Sequence, residues 1–226
     1  MTDGSTAYDA ARGAVADAAR RLAAEGLLIG TAGNVSVRIA GSDLIAVTAT
    51  GVVLADCGPE HVSVVDATGA VVAGELAPTS ELELHQAAYA TAATGAVVHT
   101  HAPYATAVAC VLDELPVLHY QQLLLGGSVR VAPYATFGTT ELAGGVAAAL
   151  EGRAAALMAN HGAVTTGAAL DKAVDAALLL EWCCRLYVNA ARIGTPRVLD
   201  DAQQAAVIEA AIARRYGTTR PAEETP

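Results

Sequence analysis

The sequence predicts an α/β fold in which helices cover both faces of a mixed, largely antiparallel sheet. Three observations carry that prediction. Paired β-type runs meet at short Gly-containing turns, as antiparallel hairpins do; Ala- and Leu-rich segments with helical spacing stand between and after them; and strand and helix do not alternate as in repeated βαβ units. The order is too irregular for a TIM barrel. The 226 residues can bury one sizeable core, and no Ser/Pro-rich or charge-rich stretch divides them. Residues 1–217 therefore read as a single domain, and the polar stretch 218–226, with Pro221 and Pro226, as a mobile C-terminal tail.

Ala11, Val15, Ala18 and Leu22 recur at helical spacing, which predicts an amphipathic helix over residues 8–25 with Gly26 as its stop. Residues 35–39 and 44–48 read as a strand pair turned by Gly41-Ser42 beside Asp43. A second pair, 62–65 and 70–72, turns at Thr68-Gly69. Ser80 and Glu83 stand at capping-box spacing, so a helix runs from Glu81 to Thr91 with Ser80 as its cap. Residues 96–101 read as a strand stopped near Pro103, with a helix over 104–112 behind it. Two short strands, 129–132 and 154–158, flank a helix over 141–150. Two helices close the chain, 170–192 and 202–215, the second capped by Asp200 or Asp201.

A hydrophobic fraction of 54% with 16% charged residues is globular, and because aromatics reach only 4% the core must be built from small, closely packed side chains. No run approaches the roughly 18 apolar residues of a membrane span; the run from Ala176 to Cys184 is broken by Glu181. The N-terminus has neither a cationic nor an apolar region, which makes the cytoplasm the expected compartment. Cys57, Cys110, Cys183 and Cys184 show no C-x-x-C spacing and read as reduced core thiols. A net charge of −10 without a basic cluster excludes nucleic acid, and it obliges any anionic substrate to be held by local donors.

The chemistry lies in the histidines. His99 and His101 sit two apart on a strand and so share a face, and His161 follows another apolar run, so three imidazoles can converge on one ion. Three histidine ligands leave a coordination position open, which a catalytic zinc requires. His61, His119 and His85 read as ordinary core or surface residues, although His85 lies one turn after Glu81 and within reach to orient it. A cupin would place a glutamate soon after its H-x-H, but the next acids here are Asp113 and Glu114; an amidohydrolase barrel would be longer with its H-x-H near the start. Gly26, Gly30 and Gly33 follow a helix and precede a strand, the reverse of a dinucleotide-binding turn. Gly33-Asn34 and Gly51 instead allow a ligand close to the backbone. Thr79 and Ser80 place two hydroxyls at a helix N-terminus, a natural phosphate site, with Glu81 in its first turn.

Taken in order, Gly-Thr-Ala-Gly-Asn34-Val-Ser, Thr50-Gly51, Pro78-Thr-Ser-Glu81, His99-Thr-His101, Ala132-Pro-Tyr-Ala-Thr-Phe-Gly138-Thr and Asn160-His161-Gly162 resemble the class II aldolase/adducin family over nearly the whole chain. Leu118-His119-Tyr120, followed by Gly126-Gly127, is similar to its L-fuculose-1-phosphate aldolase branch. The resemblance implies a three-layer αβα sandwich around about nine strands, and a C4 homotetramer with active sites between subunits. It implies one zinc per subunit on His99, His101 and His161, with Glu81 completing the resting coordination and moving protons. It places Gly33, Asn34, Thr50, Gly51, Thr79 and Ser80 around the phosphate, Tyr120 in the neighbouring subunit's site, and Tyr216 as a mobile C-terminal catalytic tyrosine. Ala49 stands where the family often has proline, and Thr79-Ser80 where it often has Ser-Ser.

The implied reaction is reversible cleavage of a ketose 1-phosphate to dihydroxyacetone phosphate and a short aldehyde, with zinc as Lewis acid. An imine route has no convincing nucleophile, because the only lysine is Lys172, at the start of a predicted surface helix. The same scaffold also admits aldolases for 5-deoxypentulose or methylthio-pentulose 1-phosphates, a pentulose-phosphate 4-epimerase, a methylthioribulose-phosphate dehydratase and an adducin-like interaction domain without catalysis.

Overall fold

The computed structural model describes residues 3–90 and 94–219. Helix α1 (Asp3–Ala24) buries Val15, Ala18 and Leu22 of the predicted stripe, together with Ala16 and Ala19. Gly26, at φ 76°, ends it: its N–H donates to the Ala23 carbonyl and the Leu27 N–H to the Leu22 carbonyl, a Schellman closure that needs a left-handed residue at that point.

Among the described residues nine strands form the sheet: β1 (Asn34–Arg38), β2 (Ile45–Thr48), β3 (Val62–Val65), β4 (Val71–Ala73), β5 (Ala96–Thr100), β6 (Glu114–Leu115), β7 (Val129–Ala132), β8 (Ala155–Met158) and β9 (Gly162–Gly167). Their order is β4-β3-β2-β1-β5-β9-β8-β7-β6, antiparallel throughout except for the parallel β7–β8 pair. The sheet is thus mixed and largely antiparallel, with both predicted hairpins present. Two strands have no counterpart in the sequence pattern. β6 has only two residues, and β9 is bounded by glycines that read as loop, although it lies between β5 and β8 near the middle of the sheet. Both glycines are there because backbone approaches too closely for a side chain: a Cβ on Gly162 would stand 2.3 Å from the Thr100 carbonyl oxygen, and one on Gly167 2.5 Å from the Ala173 nitrogen. Gly162→Ala is therefore expected to cost about 1–3 kcal/mol through overpacking, read as a lowered Tm. An unchanged Tm would mean that the β5–β9 pair moves apart without penalty.

Side chains alternate across the sheet, and β5 shows how this positions the site. Ala96 and Val98 join the core formed with α1, α3 (Pro103–Ala109) and α5 (Leu170–Ile193); Val97 joins the opposite core with Leu84 and Ala88 of α2 (Leu82–Ala90) and Leu142 and Val146 of α4 (Thr140–Ala149). His99, two residues beyond Val97, consequently faces the α2 layer. Helix α6 (Asp201–Ala213) is capped by Asp200, whose carboxylate accepts the Gln203 N–H. At α2 the expected capping box is replaced: the Thr79 hydroxyl accepts the Glu81 N–H at 3.2 Å, and the Glu83 carboxylate accepts the Thr140 hydroxyl instead of turning back to Ser80. The predicted helix end at Thr91 and the tail from residue 220 lie outside the described residues. Cys57, Cys183 and Cys184 are buried free thiols, but Cys110 is exposed, because it falls at the end of α3 where the chain leaves the core. Among the described residues no helix is long and apolar enough to cross a membrane.

Candidate metal centre and substrate cavity

Four side chains meet where β5 ends. His99 is on β5, opposite Asn34 of β1 and Val164 of β9, and His101 is one residue past the strand. His161 belongs to the tight turn joining β8 to β9; Asn160, at φ 55°, bends the chain, and the His161 N–H closes onto the Met158 carbonyl at 3.1 Å. Glu81 stands in the turn entering α2. That turn is fastened to β2 by the Ala49–Pro78 bridge, by the Thr79 N–H on the Thr48 carbonyl at 3.0 Å and by the Thr50 N–H on the Ala77 carbonyl at 3.1 Å.

The donor set fits a divalent cation. The Nε2 atoms of His99 and His101 are 3.0 Å apart, Glu81 Oε2 is 3.2 Å from His99 Nε2, and Glu81 Oε1 is 3.4 Å from His161 Nε2. All four ligand atoms lie within 4.8 Å of one another. Ligands about 2.0–2.1 Å from a tetrahedral zinc stand about 3.3 Å apart, so little movement is needed. Glu81 Oε1 is buried without a hydrogen-bond partner among the described residues, a costly state that a cation would relieve. The His99 Nδ1–H donates to the Ala163 carbonyl at 2.9 Å, which aims Nε2 into the site; with a cation bound, the tautomer bearing only that Nδ1 hydrogen would ligate through Nε2.

Electrostatics point the same way. Burial raises the Glu81 carboxyl, but the hydrogen bond and charge of His99, the hydrogen bond of Asn34 and the charge of His161 outweigh it and hold the group at about 2, ionised. Burial, then repulsion from His99 and His161, takes His101 down to about 4; burial and His99 lower His161 also. Fully buried His85 falls to about 3, mainly by desolvation. These shifts fix a sign. Below pH 6.5 the unfolded chain takes up protons that folded His85 and His101 refuse, so the metal-free protein loses stability from pH 6.5 toward 4 and 3. The depressed Glu81 adds a further loss as pH falls from 4.5 toward 2. Denaturant unfolding of metal-free protein between pH 7 and 4 should show the decline, shallower in His85→Gln; a flat profile would contradict the burial argument.

A cavity of about 480 Å³ opens onto the four ligands, with Glu81, His101 and His161 in its wall and His99 buried behind. Gly33, Asn34, Thr50, Gly51, Thr79 and Ser80, all singled out in the sequence, line the same cavity. Among the described residues no Lys or Arg does, so an anion there would be held by hydroxyls and main-chain N–H groups. Gly33 combines a φ of 95° with the absence of space for a side chain: a Cβ would meet Leu28 Cδ2 at 2.5 Å and the His99 carbonyl oxygen at 3.0 Å. The Asn34 side chain is committed elsewhere, its Nδ2–H donating to Glu81 Oε2 at 2.9 Å.

Tyr120 and Tyr216 are brought together, hydroxyl to hydroxyl at 3.3 Å, on an exposed surface, and neither lines this cavity. His61 accepts the Gly58 N–H, and His119 accepts the Gln121 N–H beside Trp182, so both keep structural roles. The cavity wall also includes Tyr134, Phe137 and Asn160, which the sequence reading did not single out as site residues. Phe137 carried a signal: it is the only phenylalanine, and it stands exposed in a loop ending at Gly138.

The profile of the family described as "Class II Aldolase and Adducin N-terminal domain" matches residues 13–188. A 5-methylthioribulose-1-phosphate/5-deoxyribulose-1-phosphate aldolase of Rhodospirillum rubrum is 40% identical over 202 residues, 88% of this chain and 90% of the relative. An L-fuculose phosphate aldolase of Escherichia coli is 41% identical over 187 residues, 81% of this chain and 86% of the relative. A solved structure of an L-fuculose 1-phosphate aldolase superposes with a TM-score of 0.83 at 37% identity, covering 87% of this chain and 93% of that one.

Proposed function

Because the chain belongs to the class II aldolase and adducin N-terminal domain family and stands among its aldehyde-lyases, we propose that it is a zinc-dependent aldolase that reversibly cleaves a ketose 1-phosphate to dihydroxyacetone phosphate and a short aldehyde. The observation that carries this reading is one cavity that opens onto a three-imidazole, one-carboxylate cluster and is lined beside it by neutral hydroxyl and main-chain groups. The complete ligand set argues against an adducin-like binding role. A Schiff base has no candidate, since Lys172 is exposed and paired with Asp171 at 3.5 Å.

His99, His101 and His161 would hold the ion, with Glu81 in the resting set. Zinc there supplies Lewis-acid stabilisation of the negative charge that develops on the three-carbon fragment. The hydroxyls of Thr50, Thr79 and Ser80 and the backbone at Gly33 and Gly51 would seat the phosphate, with Asn34 in the cavity wall beside them, its amide serving Glu81. In the condensation direction Glu81 takes a proton from the carbon beside the ketone, that carbon bonds to the aldehyde carbon, and the aldehyde oxygen receives a proton from Tyr120; cleavage reverses each transfer. Since Tyr120 and Tyr216 lie away from their own chain's cavity, their roles require a neighbouring subunit, consistent with a homotetramer whose sites lie between subunits.

The two named relatives divide the substrate question between an L-fuculose 1-phosphate-like ketose and a 5-deoxy- or 5-methylthio-pentulose 1-phosphate. All three give aldehydes ending in a methyl or methylthio group, which the exposed rings of Phe137 and Tyr134 suit. A panel of these ketose 1-phosphates and their unphosphorylated forms, scored for three-carbon product, tests the proposal. Release of dihydroxyacetone phosphate from at least one phosphorylated member is expected; release from none would end the aldolase reading.

A further inference from the structure

Behind Glu81 runs a buried file of polar side chains that starts at Asn34 in the cavity wall and continues through His85, Ser36 and Tyr89, which neither the ligand set nor the cavity lining includes. Asn34 Nδ2 donates to Glu81 Oε2 at 2.9 Å, Asn34 Oδ1 meets His85 Nε2 at 2.5 Å, His85 Nδ1 meets Ser36 Oγ at 2.7 Å, and Ser36 Oγ meets the Tyr89 hydroxyl at 2.9 Å. Two registers build it. Asn34 and Ser36 share one face of β1, while Glu81, His85 and Tyr89 recur every four residues into and along α2, so the two ladders interlock. The Arg38 guanidinium closes the far end, 4.8 Å from the centre of the Tyr89 ring.

The chain has one polarity. An ionised carboxylate only accepts, so Asn34 must turn its NH₂ toward Glu81 and its carbonyl oxygen toward His85. His85 must then carry its hydrogen on Nε2, which makes Nδ1 an acceptor for the Ser36 hydroxyl, whose oxygen in turn receives the Tyr89 O–H. We propose that His85, Ser36 and Tyr89 are positioning residues that lock the Asn34 amide and, through it, hold the Glu81 carboxylate in one rotation, with Oε2 tied and unpartnered Oε1 presented to the ion and substrate. This rests on the aldolase reading for its catalytic consequence. The positioning itself can be read on the metal alone.

The test compares His85→Leu with His85→Gln in purified full-length protein. Zinc affinity is measured by chelator competition without substrate, and kcat and KM on the ketose 1-phosphate cleaved by the wild type. Glutamine sets an N–H donor where His85 Nε2 stands; leucine leaves the Asn34 carbonyl unpaired. Loss of an outer partner typically lowers metal affinity or activity by about 10–100-fold, so His85→Leu should bind zinc about tenfold more weakly and lose about tenfold in kcat with KM little changed, and His85→Gln should recover most of both. Wild-type zinc affinity and kcat in His85→Leu, or a His85→Gln as defective at equal Tm, would overturn the proposal. Should the leucine variant not fold, Tyr89→Phe and Ser36→Ala decide: a smaller weakening of zinc binding is expected in both, and none in either overturns it. If the wild type cleaves no ketose phosphate, the aldolase reading fails, while zinc competition still judges the positioning.

Discussion

Glu81→Gln is expected to lower turnover by about a hundredfold or more, the scale on which removal of a positioned general base acts. The substitution keeps shape, and an amide oxygen can still accept the Asn34 N–H, so fold and most of the metal should remain. What disappears is the acceptor at the Oε1 position, the buried oxygen without a hydrogen-bond partner among the described residues, near His161 Nε2. An NH₂ there can neither take a proton nor complement a cation. Steady-state cleavage should be measured beside metal content and Tm, together with exchange of solvent hydrogen into dihydroxyacetone phosphate in the absence of aldehyde. That half-reaction isolates the proton transfer assigned to Glu81, and it should fall in parallel. Near-normal turnover or exchange in a metal-loaded variant would remove Glu81 as the base.

The pair His99 and His101 was legible in the sequence because the period of a strand is fixed at two, whereas Glu81 entered the candidate ligand set only through the family resemblance. Once residues 96–101 read as a strand, His99 and His101 had to share a face, and the structure turns that face toward α2 and Glu81. The strand β9 was not legible, since Gly162 and Gly167 carry no β signal; their role is to let Thr100 and Ala173 approach, a relation between distant segments. The same limit hid the partners of Asn34. A Gly-Asn pair before a strand suggests contact with a ligand, yet the amide is held by Glu81 and His85, 47 and 51 residues away, and only the register of β1 against α2 brings them together. Ser80 matched a capping box, but the bridge at Ala49 and Pro78 fixes the turn so that the Thr79 hydroxyl accepts the Glu81 N–H ahead of the helix, leaving Ser80 at the cavity wall. Gly33-Asn34, Gly51 and Thr79-Ser80 were legible as three separate weak signals and Thr50 only through the resemblance; their convergence on one cavity required the β2–α2 fastening to be seen.

His101→Ala should lower metal occupancy and activity together. Among the three imidazoles it gives the cleanest test, because it lies past the end of β5 and is half-buried, whereas His99 is fully buried and bonded to the Ala163 carbonyl, so its loss would also disturb the core. With His101 absent, only His99, His161 and Glu81 remain, one ligand short of the set expected to hold the ion in its resting state. Chelator treatment of the wild type should give the same phenotype reversibly, activity returning with added zinc. It should also lower Tm, since an ion bound only by the folded state contributes about 2.7 kcal/mol at a hundred times its Kd. The two arms separate chemistry from folding. If chelated wild type regains its Tm and its turnover with zinc while His101→Ala regains neither, the imidazole acts through the ion; a His101→Ala variant that is both metal-replete and active would show that His101 is not a ligand.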